Sequence, residues 1–121
     1  MRIFIPISVG ELFDKFTILS IKLKEITNLK KRERLKNEYY LLKKEIDNLI
    51  LIKEYGELMI VNQQLWGIEN EIRKLEIKKD FGVEFIKLAR QIYKVNDHRS
   101  EIKARINKYY DSEIIEVKQY Q

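Results

Sequence analysis

The chain has 121 residues, no cysteine, one proline and four glycines, and carries a formal charge of +5. That length makes one domain, and the missing thiols exclude disulfides, thiolate metal sites and cysteine nucleophiles while fitting a cytoplasmic setting. A charged content of 36% beside 45% hydrophobic residues describes helices with charged outer faces, not a disordered chain.

Residues 2–7 read as a short strand, with Pro6 near its end where a missing N–H is tolerated. The apolar run here is too short for a secretory leader. Ser8 followed by Glu11 is a capping box, so a first helix spans about 9–27 with Leu12, Phe16, Leu19, Leu23 and Ile26 as its seam. A second helix spans 29–55, with Leu35, Tyr39, Leu42, Ile46 and Leu49 inward and Gly56 as its stop. A third covers 57–79 along Leu58, Val61, Leu65, Ile68, Ile72 and Leu75. Asp80 then caps a fourth, over 81–110. Residues 114–120 form a second strand.

Short links between long helices predict an antiparallel up-down four-helix bundle of coiled-coil-like packing over residues 1–121. With an even number of helices both chain ends lie at one end of the bundle, where the terminal segments pair as a two-stranded antiparallel ribbon. The longest uncharged stretch, 58–68, contains Asn62, Gln63 and Gln64 and is too short to span a bilayer.

The excess charge is local. Residues 22–44 hold nine Lys or Arg against three Glu, and the rest of the chain is one charge negative. The basic side chains go all round the helix without interleaved aromatics or glycines, so a solvated helix surface is favoured over a nucleic-acid interface.

One position breaks the fourth seam. Phe85, Leu88, Ile92, Val95, Ile102, Ile106 and Tyr109 follow in threes and fours, but the step from Val95 to Ile102 lands on Arg99. A guanidinium on a core stripe requires carboxylates or a ligand anion. Counting outward from Asp80 places Arg99 level with Val61 and Asn62. Trp66 and Glu69 continue the Asn62 stripe, Asn96, Asp97 and Lys103 flank Arg99, and Asp14 and Lys15 fall near Lys103 and Asn107.

These residues have two readings. As a ligand site, Arg99 clamps a phosphate or carboxylate, Lys103 adds charge, Asn62 and Asn96 orient, and Trp66 stacks. As a structural network, Asp14 or Glu69 neutralises Arg99 and fixes helix register. His98 has no second His or Cys at ligand spacing, so no metal and no cofactor are expected. No glycine-rich phosphate loop or nucleophile motif occurs.

Several segments carry a likeness: Pro6-Ile7-Ser8-x-Gly10-Glu11-Leu12-x-Asp14-Lys15, Leu65-Trp66-x-Ile68-Glu69-x-x-Ile72-Arg73, Asp80-Phe81-Gly82-x-x-Phe85-Ile86-x-Leu88-Ala89-Arg90, Asn96-Asp97-x-Arg99-x-x-x-Lys103-x-x-Ile106-Asn107, and Glu116-Val117-Lys118-x-Tyr120. As a set they resemble a family of small uncharacterised helical proteins from bacteria and viruses. The resemblance carries no activity, and implies a setting beside glycosyltransferases in cell-surface polysaccharide synthesis. The expectation is a non-enzymatic accessory or interaction protein that self-associates through Trp66 and the tyrosines, or binds a protein partner. The alternative is a site for an anionic sugar or nucleotide, with transferase or mutase-like chemistry.

Overall fold

The computed structural model describes residues 1–117. They are mainly helical, in the order α1 (Val9–Glu25), α2 (Leu29–Ile46), α3 (Lys53–Ile77) and α4 (Val83–Tyr109). No helix among them is long and apolar enough to cross a membrane.

Helix α1 is the hub, packing against the other three, whereas α2 approaches only α1 and the most extensive pair is α3 with α4. Glu57 meets Arg105 across α3 and α4, at 2.5 Å. Both lie 24 positions from residue 81, so this pair is an antiparallel hairpin. The core beneath α1 consists of Phe13, Phe16, Ile46, Leu58, Val61, Ile102 and Ile106. Three tyrosines close its rim. Tyr55 and Tyr110 meet Phe13 edge-on with ring centroids 5.7 and 5.4 Å away, and Tyr39 stacks on Phe16 at 4.7 Å.

The helix limits differ from the sequence reading in two places. The second helix stops at Ile46 instead of running to 55, and Gly56 lies inside α3. Asp47 and Asn48 are turn formers, and the β-branched Ile50 and Ile52 propagate a helix poorly. Leu49 and Ile52 instead tuck onto the core, and the Tyr110 hydroxyl donates to the Ile50 carbonyl. The N-cap of α4 is Gly82, not Asp80, whose carboxylate accepts from the Gly82 N–H at 3.2 Å.

Helices α3 and α4 both end in the six-to-one, five-to-two hydrogen-bond pattern that closes a helix through a left-handed residue. Lys79 (φ 55°) and Asp111 (φ 51°) take the position usually given to glycine. The bonds are Asp80 N–H to Leu75 O and Lys79 N–H to Glu76 O, then Ser112 N–H to Asn107 O and Asp111 N–H to Lys108 O. The second turn sends the chain back toward the start of α1.

The expected terminal ribbon is corrected. Neither residues 2–7 nor 114–117 form a strand, and the remainder of the expected second strand, 118–120, lies outside the described residues. Ile3, Phe4 and Ile5 are exposed, so no packed face supports a ribbon that is marginal alone. The ends are joined by side chains instead: Ser8 Oγ donates to Glu116 Oε1, and the Val9 N–H donates to Ser112 Oγ at 3.2 Å.

Candidate functional site

The polar residues gather where α1 crosses α3 and α4. Because α1 packs on three helices, its buried arc takes in Gly10, Phe13, Asp14 and Thr17 besides the expected apolar stripe. Asp14 is 1% exposed, and a carboxylate at that depth demands partners.

It has them on both oxygens. Oδ1 accepts from Asn62 Nδ2 and from Arg99 Nε, both at 2.9 Å, and Oδ2 accepts from Arg99 Nη2. This is the bidentate guanidinium–carboxylate fork. Asn62 Nδ2 also donates to Thr17 Oγ1 at 2.8 Å, and Thr17 donates onward to the Asp14 carbonyl. Arg99 Nη1 donates to Asn96 Oδ1 at 3.3 Å. Lys103 Nζ lies 2.7 Å from Glu11 Oε2 and 3.9 Å from Asp14 Oδ2. Asp14 and Glu11 therefore face Arg99 and Lys103 as two carboxylates against two cations.

A second group caps α1. The Gly10 N–H donates to Asn107 Oδ1 at 2.6 Å, the Glu11 N–H to Ser8 Oγ at 3.0 Å, and Asn107 Nδ2 to Glu116 Oε2 at 2.9 Å. With Val9 on Ser112, three of the first four N–H groups of α1 are bonded to side chains. An anion arriving at this helix terminus finds those donors occupied. Only half of the expected capping box forms, because the Glu11 carboxylate is turned to Lys103. Among the described residues no buried side-chain nitrogen or oxygen lacks a partner.

Burial alone pushes the Asp14 carboxyl up. The hydrogen bonds from Arg99 and Asn62, with the charges of Arg99 and Lys103, overcome it and hold the group below the usual carboxylate range. Its native pKa thus lies under the unfolded value of about 3.9. The stability this contributes is fully present above the unfolded value and is lost as pH falls through the native one. The melting temperature is expected to hold steady from neutrality to about pH 5 and to fall steeply below about pH 4. An Asp14→Asn variant is expected to fall more gently. Thermal melts at stepped pH, followed by circular dichroism, check this; a steep loss centred between pH 5 and 7 contradicts it.

The structure brings together Asp14, Asn62, Asn96, Arg99 and Lys103 of the residues singled out from the sequence, and Asp97 is half-buried beside them. Lys15 is exposed and is not among the residues bonded in the cluster. Trp66 sits one turn beyond Asn62 and borders a separate cleft of about 230 Å³ with Ile21, Lys24, Glu25 and Gln63. Glu69 points at Arg73, 3.4 Å away on its own helix. Thr17, Ser112 and Glu116 were missed. Thr17 lies three positions after Asp14, a helical-neighbour signal, whereas Glu116 stood only in the terminal motif, with nothing to tie it to this site. A cleft of about 240 Å³ beside the cluster is bordered by Ser100, Glu101, Lys103, Ala104, Asn107 and Glu116, with Val117 at its edge.

The basic stretch also divides. Arg32 donates to the Leu23 and Ile26 carbonyls and so closes the C-terminal end of α1, the favourable place for a cation. Its neighbours Lys30, Lys31 and Arg34 are exposed.

Fold and cluster define a class: a mainly helical protein whose first and last helices are bolted together by a buried carboxylate held in a half-buried guanidinium fork. The chain belongs to a family of unknown function (DUF6165), whose profile matches residues 3–121. The likeness carried by the sequence motifs is thereby borne out at family level. No curated protein and no solved structure matches the chain.

Proposed function

We propose that this chain is a helical interaction module, acting through surface contacts on one domain of alternating up and down helices, with the Asp14–Arg99 cluster as its internal lock. The observation that carries this reading is that the cluster's charges answer one another: both Asp14 oxygens are taken and the Arg99 fork is spent on them. A site kept for a phosphate or carboxylate would instead present its guanidinium fork to the ligand. Alternating helix direction is supported by the α3–α4 pairing above. It is also supported by Phe16 meeting Tyr39, and Leu23 meeting Arg32, across α1 and α2.

Thermal unfolding with millimolar phosphosugars, nucleotides and dicarboxylates tests the reading. A ligand present at a hundred times its dissociation constant stabilises by about 2.7 kcal/mol, which a melt resolves readily. The expected result is the same transition with and without each compound, in wild type and in Arg99→Leu. A shift in wild type that disappears in Arg99→Leu overturns the lock and makes the cluster a ligand site.

A further inference from the structure

The α3–α4 hairpin outruns the rest of the fold. Helix α1 has 17 residues against 25 and 27 in α3 and α4. Its last turn, Ile21 to Glu25, lies beside Gln63 and Trp66, and α2 then runs back the other way. Helix α3 continues to Ile77, about 16 Å past Trp66 at 1.5 Å per residue. In that arm, residues 67–94, Leu88 alone is buried. Ile68, Ile72, Leu75, Phe85 and Ile92 carry on the seam with no third helix over them, and are half-buried. Ile86 and Tyr93, beside the seam on α4, are 56% and 53% exposed, and Ile77, Phe81 and Val83 crown the tip in the open.

We propose that this arm is the contact surface for a second copy of the chain, two arms meeting face to face as a symmetric layer of four helices. The inference rests on the interaction-module reading and names its partner. Area supports it first. The chain exposes 9221 Å², whereas a compact monomer of its 14.7 kDa exposes roughly 6,900 Å². The mostly exposed residues 1–6, α2 and the arm all contribute to that excess. A standard interface takes about 800 Å² per partner, so about a third of that excess suffices. Geometry supports it second, because a two-helix arm with a half-covered seam is half of a four-helix bundle, and a two-fold axis supplies the other half. Charge supports it third. From residue 66 to 94 there are five acidic and seven basic side chains in mixed order, which a like copy can match. A strongly acidic partner is drawn to the basic α2 instead.

Sedimentation equilibrium on the full chain, up to about 100 μM, is expected to return twice the chain mass. The pair Ile86→Glu and Tyr93→Glu alters exposed positions, so helicity by circular dichroism should persist while dimer dissociation strengthens at least about 30-fold. As the chain has no cysteine, Ile86→Cys gives an independent reading by short bifunctional crosslinking: a crosslinked dimer is expected, and none from Lys36→Cys on α2. A monomer at the highest concentration overturns the proposal. So does a dimer that ignores the arm changes and dissociates on Phe4→Glu, or a crosslink from Lys36→Cys without one from Ile86→Cys. These outcomes leave the ligand melts untouched, so failure here is distinct from failure of the lock.

Discussion

Replacing Arg99 with alanine is expected to destabilise the protein by about 3 kcal/mol, the lower end of the range for a broken buried ion pair. The loss arises mainly at Asp14. Its side chain is 2% exposed, and without Arg99 it retains the Asn62 amide and a lysine 3.9 Å away. Lys103 moderates the effect, since its ammonium sits between Glu11 and Asp14 and can swing toward the latter. A lysine at position 99 does not restore the site, because a point charge cannot serve both carboxylate oxygens. Urea unfolding followed by circular dichroism gives the number. A loss below about 0.5 kcal/mol, the ordinary size for a surface change, contradicts the burial argument.

Gly10→Ala is expected to cost about 1–3 kcal/mol by overpacking. A Cβ there meets the Lys103 carbonyl oxygen at 2.8 Å and Asn107 Oδ1 at 2.9 Å. The first obstacle is backbone and cannot turn aside, so α1 has to move off α4. That movement strains the 2.6 Å bond from the Gly10 N–H to Asn107 and the Glu11–Lys103 pair. Gly67→Ala is the contrast, since a Cβ meets nothing within 4 Å and an exposed helix interior gains about 0.5–1 kcal/mol from the change. Paired melts should move in opposite directions. Equal shifts would mean that the close approach of α1 and α4 is not a constraint.

Much of this arrangement was legible in the chain, for reasons of periodicity. Arg99 stood out because it interrupted a three-and-four repeat, and counting from the turn placed it opposite Asn62, where a shared Asp14 oxygen now joins them. The count along α1 slipped by about one helical turn. Asn107 bonds to Gly10, not to residues beside Asp14, because a glycine lets the two backbones close up there. Phe13 and Thr17, both fully buried, were hidden for a different reason. A single apolar stripe describes a helix with one buried face, and α1 packs on three neighbours.

Tyr109 and Tyr110 show the limit at a helix end. The repeat pointed Tyr109 inward, yet it is exposed while Tyr110 meets Phe13, because α4 closes at that point. Glu116 stood in the motif of the terminal segment, but no local pattern gave it a role at this site. Its carboxylate is spent on Ser8, 108 positions away, and on Asn107, and only the folded chain brings those together.

A double-mutant cycle between Asp14 and Arg99 reaches the central claim most directly. Free energies of unfolding are needed for wild type, Asp14→Ala, Arg99→Ala and the double variant. The lock predicts a coupling of about 2–3 kcal/mol, the double change costing much less than the two single losses combined. Losses that add to within about 0.5 kcal/mol would show two residues acting independently, and would contradict it.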